Sequence, residues 1–338
     1  MRRLLKFFVF IGIVTFAVQS QAQLFVSSGS FLYVNDQYVT VTQDVNLATS
    51  GNIYLRNESQ LLQKTTGGSS NTGLGALSAF QEGTSNNFGY NYWCSPVGEP
   101  SASVGNSNFG ITLLKRPTGL TSFGGEAITT SLNGSTSNTA LTISSRWIYT
   151  LTTTNQYSNW SYIAAATSIA AGQGFTMKGV SGSDNTTVLG VQNNPGNNQR
   201  YDFRGKPNDG TINIPVGNSV DGGTGYTEST LTGNPYPSAL DAIDFLTLNT
   251  NIDGFINVWT HGTLPSNANG NPFYGSFTYN YTSNDYIIHN GTGTISGPAT
   301  YDGFIPAGQS FFVAMLDGAA TTSTVNFTNS MRVKNNNT

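Results

Sequence analysis

Hydrophobic and polar residues alternate with period two in short pieces along the first part of the chain. The pattern covers residues 31–34, 38–41 and 51–55, and Asn, Asp or Gly residues interrupt it. Alternation of this length predicts short β-strands. We therefore predict an N-terminal β segment over residues 23–68, in which the strands can stack as one or two solenoid-like rungs.

A degenerate repeat organises the rest of the chain. Four blocks recur in one order, first at residues 91–96, 146–149, 169–175 and 201–204, and again at residues 233–238, 257–260, 305–311 and 325–327. A repeated order with unequal spacing is expected of duplicated β modules, because surface loops change length at little cost. We predict two tandem β-sandwich-like modules with jelly-roll or Greek-key connections, at residues 69–218 and 219–338. The second module could be truncated.

One segment has the pattern of a helix. Leu240, Ile243 and Leu246 recur at helical spacing, and Ser238 precedes Asp241 by three residues. A hydroxyl residue followed three positions later by an acidic residue resembles the capping box at a helix start. The pattern predicts one short helix over about residues 239–248.

Composition agrees with a fold built from strands. The chain of 338 residues has 39 Gly, 20 Phe, 16 Tyr and 4 Trp, and only 9% of its residues are charged. The aromatic residues suffice for sizeable cores, whereas the helix-forming charged residues are scarce. We predict an all-β protein with one short helix. The 14 Lys and Arg residues against 17 Asp and Glu residues argue against nucleic acid as a partner.

The first 22 residues have the three zones of a secretory signal peptide. A basic start with Arg2, Arg3 and Lys6 precedes an apolar run over residues 7–18, and the segment ends in small residues at Ser20 and Ala22. The apolar run is shorter than the roughly 20 residues that a membrane span needs. We predict export across the inner membrane to the cell surface or the medium, with no membrane span after signal removal.

The single cysteine, Cys94, excludes a disulfide within the chain. Its aromatic neighbours, Tyr92 and Trp93, indicate a small buried core residue rather than a nucleophile.

Five runs of the sequence resemble a family of large secreted proteins from Bacteroidota. They are YNYWCSPVG at 90–98, GQGFTMKG at 172–179, YDFRGKPNDGTI at 201–212, GNPYPSALDA at 233–242 and IPAGQSFFV at 305–313. The resemblance implies export by the type IX secretion route and display at, or release from, the cell surface. It implies no catalytic residues. Members of the family usually end in a Gly-rich β sorting domain, which is missing before Thr338, so we expect either a fragment or another route to the surface.

The sequence contains few residues suited to catalysis or to transition metals. Its two histidines, His261 and His289, stand outside any zinc-binding spacing. A glycosidase needs only two carboxylates beside a sugar-sized cleft, and Asp241 and Asp244 are candidates that a helix cap and an exposed helix face explain better. We predict a protein without enzymatic activity.

Calcium is the ion that the loop residues could bind. Asn249, Asn251 and Asp253 precede Gly254 at the spacing that opens a calcium-binding loop, although Thr260 stands where such a loop has its bidentate Glu. The alternative is an Asn/Asp/Gly turn before a strand, which we favour. We therefore predict no cofactor. If the loop binds an ion, we expect that ion to be calcium.

Sugar binding is the function that the aromatic residues favour. The candidate ligand-binding residues are Trp147, Tyr149, Trp160, Tyr162 and Trp259, since aromatic faces stack on pyranose rings. Trp147 shares one face of a predicted strand over residues 145–151 with Tyr149 and Leu151, which favours a core position for Trp147. We favour a core position for Trp259 as well, and leave both interpretations open for Trp160.

Together these observations predict an exported, adhesin-like protein whose modules bind an extracellular glycan or a surface protein. The alternative is an N-terminal, non-catalytic region of a larger secreted enzyme that degrades polysaccharides. A third interpretation, that the chain is itself a glycosidase, requires a cleft with two carboxylates.

Overall fold

A computed structural model describes residues 23–83, 87–152, 160–218, 228–260, 262–269, 281–316, 318 and 321–337. Nearly all regular structure in these residues is β-strand, and their one α-helix, α1, spans Ala242–Leu248. The prediction of an all-β fold with one short helix is confirmed. The predicted signal peptide at 1–22 and His261 lie outside the described residues.

The N-terminal segment forms a three-sided solenoid of parallel strands. Its rungs consist of β1 (Leu24–Val26), β2 (Phe31–Asn35) and β3 (Tyr38–Val41), then β4 (Val45–Leu47), β5 (Asn52–Arg56) and β6 (Gln60–Gln63), then β7 (Thr72–Gly73) and β8 (Ala76–Gly83). Each strand pairs in parallel with its counterpart in the next rung, so that Leu24 lies beside Val45 and Phe31 beside Asn52. Val34, Leu55 and Leu61 point into the buried interior, as the period-two pattern predicts.

The last rung continues into a seven-stranded sheet. β8 pairs antiparallel with the fully buried strand β22 (Gln199–Pro207). The other members of this sheet beyond β22 are β10 (Val97–Gly98), β11 (Leu114–Pro117) and β12 (Phe123–Gly124). Solenoid residues such as Leu61 and sheet residues such as Phe203 therefore share one buried core, which we call the first core. The boundary predicted at residue 68 stays a prediction.

Further strands complete the first half of the molecule. They are β9 (Tyr90–Trp93), β13 (Glu126–Thr129), β14 (Gly134–Thr136), β15 (Leu141–Ser144), β16 (Tyr149–Thr150), β17 (Ser161–Tyr162), β18 (Phe175–Lys178), β19 (Val180–Gly182), β20 (Asp184–Val188) and β21 (Val191–Asn194). β9 pairs with β18, β16 with β17 and β20 with β21, while β13, β15, β14 and β19 form a four-stranded sheet.

The second half has a core of its own. Its strands are β23 (Ile212–Gly217), β24 (Ser229–Gly233), β25 (Ala239–Asp241), β26 (Ile256–Trp259), β27 (Tyr286–His289), β28 (Thr294–Ser296), β29 (Phe304–Ile305), β30 (Ser310–Ala314), β31 (Thr322–Phe327) and β32 (Arg332–Val333). A five-stranded sheet has the order β24-β30-β26-β27-β28. Phe245 of α1 packs against Phe311 and Phe327 in this second core.

Helix α1 begins three residues later than predicted, and its cap is a different residue. Asp241 is the N-cap, because its carboxylate accepts a hydrogen bond from the Ile243 amide at 2.8 Å. Ser238, predicted as the cap, instead accepts a hydrogen bond from Arg332 at 2.9 Å. The helix starts later because tertiary contacts hold residues 239–241 in strand β25, which pairs with β29 on one side and with β32 on the other.

The two copies of the sequence repeat meet through corresponding turns. The Gly172 carbonyl accepts a hydrogen bond from the Gly233 amide at 3.2 Å, and the Gly308 carbonyl accepts one from the Cys94 amide at 2.8 Å. Both turn glycines have left-handed backbone, with φ of 83° and 87°, which explains Gly at the same place in each Ala-Gly-Gln element. The Ala-Gly-Gln turn of each copy thus contacts the first block of the other copy.

Candidate functional site

The site is built on the paired strands β9 and β18. Because strand side chains alternate, Tyr90 and Tyr92 point to one face of β9 while Asn91 and Trp93 point to the other. Antiparallel pairing sets Thr176 opposite Tyr92 and Lys178 opposite Tyr90. The face with Trp93 enters the first core, so the opposite face can serve another purpose.

That opposite face lines a cavity of about 300 Å³. Its described lining consists of Thr176 and six aromatic residues: Tyr90, Tyr92, Trp147, Tyr149, Trp160 and Tyr281. None of these lining side chains is charged. We call this group the aromatic cavity. A concave site with a mostly apolar, aromatic lining is a common form of a small-ligand site.

Trp147 lies in the wall of the cavity and not in the core, contrary to the strand predicted over residues 145–151. Residues Ser145–Trp147 form a 3-10 turn, and the strand begins only at Tyr149. The turn leaves the indole of Trp147 half-buried, with its Nε1 donating a hydrogen bond to the Leu132 carbonyl at 2.6 Å. The ring is therefore held in one orientation, edge-on to Tyr90 at a centroid distance of 6.1 Å.

Thr176 joins the C-terminal end of this turn to the strand that follows it. Its hydroxyl donates to the Trp147 carbonyl at 2.8 Å and accepts a hydrogen bond from the Tyr149 amide at 3.2 Å. A buried hydroxyl between two cavity residues holds the wall in place, because leaving either backbone group unpaired would cost free energy.

Trp160 and Tyr162 lie at the open side of the cavity. Trp160 is half-buried against Tyr92, with ring centroids 6.1 Å apart. Tyr162 is 52% exposed and lies outside the lining, where its ring contacts Tyr149 at 5.4 Å. Tyr162 therefore extends the aromatic surface from the cavity onto the outside of the protein.

Trp259 packs against the wall residue Tyr92 and does not belong to the described lining. It is only 7% exposed and stacks on Tyr92 with ring centroids 5.8 Å apart and planes 25° apart. Its Nε1 donates a hydrogen bond to the Tyr90 carbonyl at 3.1 Å. This is the core position that we favoured for Trp259, and a ligand in the cavity would meet Tyr92 instead.

The five aromatic candidates of the sequence thus lie in or against one cavity, although 112 positions separate the first from the last. Sequence reasoning missed Tyr90, Tyr92 and Tyr281 as members of the site. Tyr90 and Tyr92 stand two positions apart, which places both on one face of a strand, and this pattern could have identified them. No local pattern identifies Tyr281, which joins through a ring contact with Tyr90 at 5.8 Å.

A second, wider cleft of about 810 Å³ has a more polar lining. It contains three acidic residues, Asp36, Glu58 and Glu82. Glu82 is paired with Arg200, whose guanidinium lies 2.5 Å away.

Two of the three predicted calcium ligands, Asn249 and Asn251, form side-chain hydrogen bonds within the protein. The Asn249 amide donates to the Phe245 and Asn326 carbonyls, and its oxygen accepts from the Asn326 amide at 2.7 Å. Asn251 donates to Ser323 and Thr324. Burial raises the pKa of the Asp253 carboxyl to about 6, and its Oδ1 has no hydrogen-bonding partner among the described residues. Calcium binding here stays a prediction.

Other reactive side chains have packing roles. Cys94 is fully buried, as predicted, and burial raises the pKa of its thiol, which disfavours the nucleophilic thiolate. His289 is buried, and its Nδ1 accepts a hydrogen bond from the Gly291 amide at 3.0 Å. The part of the chain that the structure describes contains no cluster of three His, Cys, Asp or Glu residues able to hold a metal ion.

In the same part of the chain, no helix combines the length and the apolar composition that crossing a bilayer requires.

The fold and the site define an all-β protein with an N-terminal parallel solenoid and an aromatic cavity beside the junction of two repeated motifs. A family model described as a domain of unknown function, DUF8693, matches residues 126–338. The match covers more than half of the chain, so the protein belongs to this family. The matched region includes Trp147, Trp160, Tyr162 and Trp259. Comparisons with curated proteins and with solved structures found no match.

Proposed function

We propose that the protein is an exported, non-enzymatic surface or extracellular protein that binds glycan in its aromatic cavity. The zones of the first 22 residues and the resemblance to secreted Bacteroidota proteins support export. The aromatic cavity supports glycan binding and is the observation that carries the proposal.

The shape and chemistry of the cavity suit a sugar ring. The apolar C–H face of a pyranose packs on flat aromatic walls, and six rings surround a volume of about 300 Å³. A hydrogen bond to Leu132 orients the wall residue Trp147, and a hydrogen bond to Tyr90 orients Trp259, which stacks on the wall residue Tyr92. The walls therefore need little ordering when a ligand binds. Tyr162 gives a chain of several sugar units a further stacking surface outside the cavity.

Affinity electrophoresis tests the binding. The purified protein is run through gels that contain neutral and acidic polysaccharides, together with the variants Trp147→Ala and Trp160→Ala. Phe25→Ala is the matched control, because Phe25 is an aromatic residue 60% exposed on the solenoid and outside the cavity.

We expect retardation by at least one polysaccharide, and an affinity at least about tenfold lower in both tryptophan variants, since buried aromatic anchors dominate binding energies. The control should bind like the wild type. Glycan binding in the cavity is rejected if no gel retards the protein, or if both tryptophan variants bind normally. Release of new reducing ends from a bound polysaccharide would show hydrolysis, and would overturn the proposal that the protein has no enzymatic activity.

Cell fractionation tests the location. An antibody against the described region should detect the protein in surface and medium fractions of the native host. A signal confined to the cytoplasm would contradict export.

A further inference from the structure

The ammonium group of Lys178 lies beside the aromatic cavity. Lys178 follows Thr176 on the same face of β18, and its Nζ lies 3.7 Å from the centroid of Trp147 and 4.9 Å from that of Tyr90. Both rings line the cavity. Lys178 therefore contacts two of the rings that form the cavity wall, although its own side chain does not belong to the described lining.

Among the residues that the structure describes, this ammonium has no anionic partner. No carboxylate among the described residues forms an ion pair with Lys178. The side chain is half-buried, and burial lowers the pKa of the amine because it opposes the charged form. Other cations near the first core are paired, such as Arg116 with Asp184 at 2.7 Å and Arg204 with Asp202 at 2.8 Å. An anion bound beside Lys178 would offset the desolvation of its charge.

The same ammonium disfavours a cationic ligand. Aromatic walls can bind cations through the negative potential of their ring faces. Lys178 already lies over the Trp147 ring and would repel a second positive charge close by. The lining itself supplies no negative charge among the described residues. Neutral and anionic sugars remain as ligands, and the ammonium of Lys178 favours a sugar ring with a negative substituent.

We propose that the aromatic cavity selects acidic glycans, with Lys178 as the residue that binds a carboxylate or sulfate on a stacked sugar unit. This inference rests on the proposed glycan binding and names its ligand class. It assigns selectivity to Lys178 and affinity for the sugar ring to the surrounding aromatic residues.

A matched pair of polymers tests the charge directly. Polygalacturonate and its fully methyl-esterified form differ in the carboxylate charge and the ester methyl, while the sugar ring stays the same. Binding is measured by affinity electrophoresis at about 0.15 M salt, where the Debye length of about 8 Å leaves mainly contact attraction. A sulfated galactan and its desulfated form are run in parallel, to distinguish sulfate from carboxylate.

The variants are Lys178→Gln, Lys178→Arg and Lys334→Gln. Lys334 is the matched control, because its ammonium also lies over an aromatic ring, that of Tyr38 at 5.4 Å, but outside the cavity. We expect the wild type to prefer one charged polymer over its uncharged form by about tenfold, as one charge-assisted contact allows. Lys178→Gln should abolish this preference, whereas Lys178→Arg and Lys334→Gln should keep it.

The outcomes separate this inference from the proposed function. Equal affinity for the charged and uncharged polymers, with dependence on Trp147 retained, would overturn the acidic selectivity and leave glycan binding intact. A preference that persists in Lys178→Gln would also overturn it. Absence of binding to every polymer would reject both proposals. Thermal unfolding of each variant shows whether a loss of binding has a folding cause.

Discussion

The two faces of strand β9 use aromatic residues in opposite ways. On the core face, Trp93 packs on Tyr201 and Phe203 with ring centroids 6.1 and 5.5 Å apart. The Trp93 Nε1 and the Tyr201 hydroxyl lie buried there without a hydrogen-bonding partner among the described residues. On the cavity face, the Nε1 atoms of Trp147 and Trp259 each donate to a backbone carbonyl.

This difference indicates what each face is built for. Packing alone holds the core rings, and it tolerates an unpaired polar atom at a cost in stability. Hydrogen bonds set the orientation of the Trp147 and Trp259 rings on the cavity face. Packing against only one side of a ring would restrict its orientation less. A binding site needs such fixed walls, because ordering them when the ligand binds would reduce affinity.

Trp93→Ala is the strongest test of the core face. Removing a buried indole should lower the free energy of unfolding by about 4 kcal/mol, since it leaves a large internal void. Urea denaturation followed by circular dichroism measures the change. A loss below about 1 kcal/mol would mean that Trp93 contributes little to the core, and that the two faces of β9 do not differ as described.

Trp160→Ala should affect stability less. Trp160 is half-buried on the cavity face, so its removal should cost about 1.5 kcal/mol, in proportion to the apolar surface it covers. The same denaturation experiment measures this, and Trp93→Ala is the comparison. Equal losses in the two variants would show that the cavity face is a continuation of the core.

Much of the fold follows from local pattern, whereas the site depends on contacts between distant residues. The period-two pieces predict the solenoid strands. The pattern does not show that β5 and β6 are buried on both faces, which depends on the neighbouring elements. The start of α1 could not be predicted, since residues 239–241 pair with strands that lie 63 or more positions later. Trp147 was misplaced because its 3-10 turn depends on Thr176, which comes from another strand.

Tyr201→Phe tests the cost of an unpaired polar atom in the core. The Tyr201 side chain is fully buried, and burial raises the pKa of its phenol. Removing a hydroxyl without a partner should raise the free energy of unfolding by about 1 kcal/mol, because the desolvation of that group is no longer required. Tyr92→Phe is the cavity-face control, and its hydroxyl lies 3.4 Å from that of Tyr286. A loss of stability in Tyr201→Phe would show that the hydroxyl has a partner after all.

Asp253→Asn tests the cost of burying a charged group, as Tyr201→Phe tests that of a neutral one. Burial raises the pKa of the folded carboxyl to about 6, above the value near 3.9 in an unfolded chain. The protonated carboxyl is therefore favoured by folding, and stability should fall as the pH rises from about 4 to about 6. Asparagine removes the charge, so the variant should be more stable than the wild type at pH 7 by at most about 1 kcal/mol, because the group is half-exposed.

At pH 4 the two proteins should unfold at nearly the same urea concentration. Repeating the pH 7 measurement with calcium separates the two interpretations of this loop. An ion held by Asp253 would stabilise the wild type and not Asp253→Asn, whereas a simple turn predicts no change in either protein. A wild type that is more stable than the variant at pH 7 without calcium would mean that the ionised carboxylate has a stabilising partner.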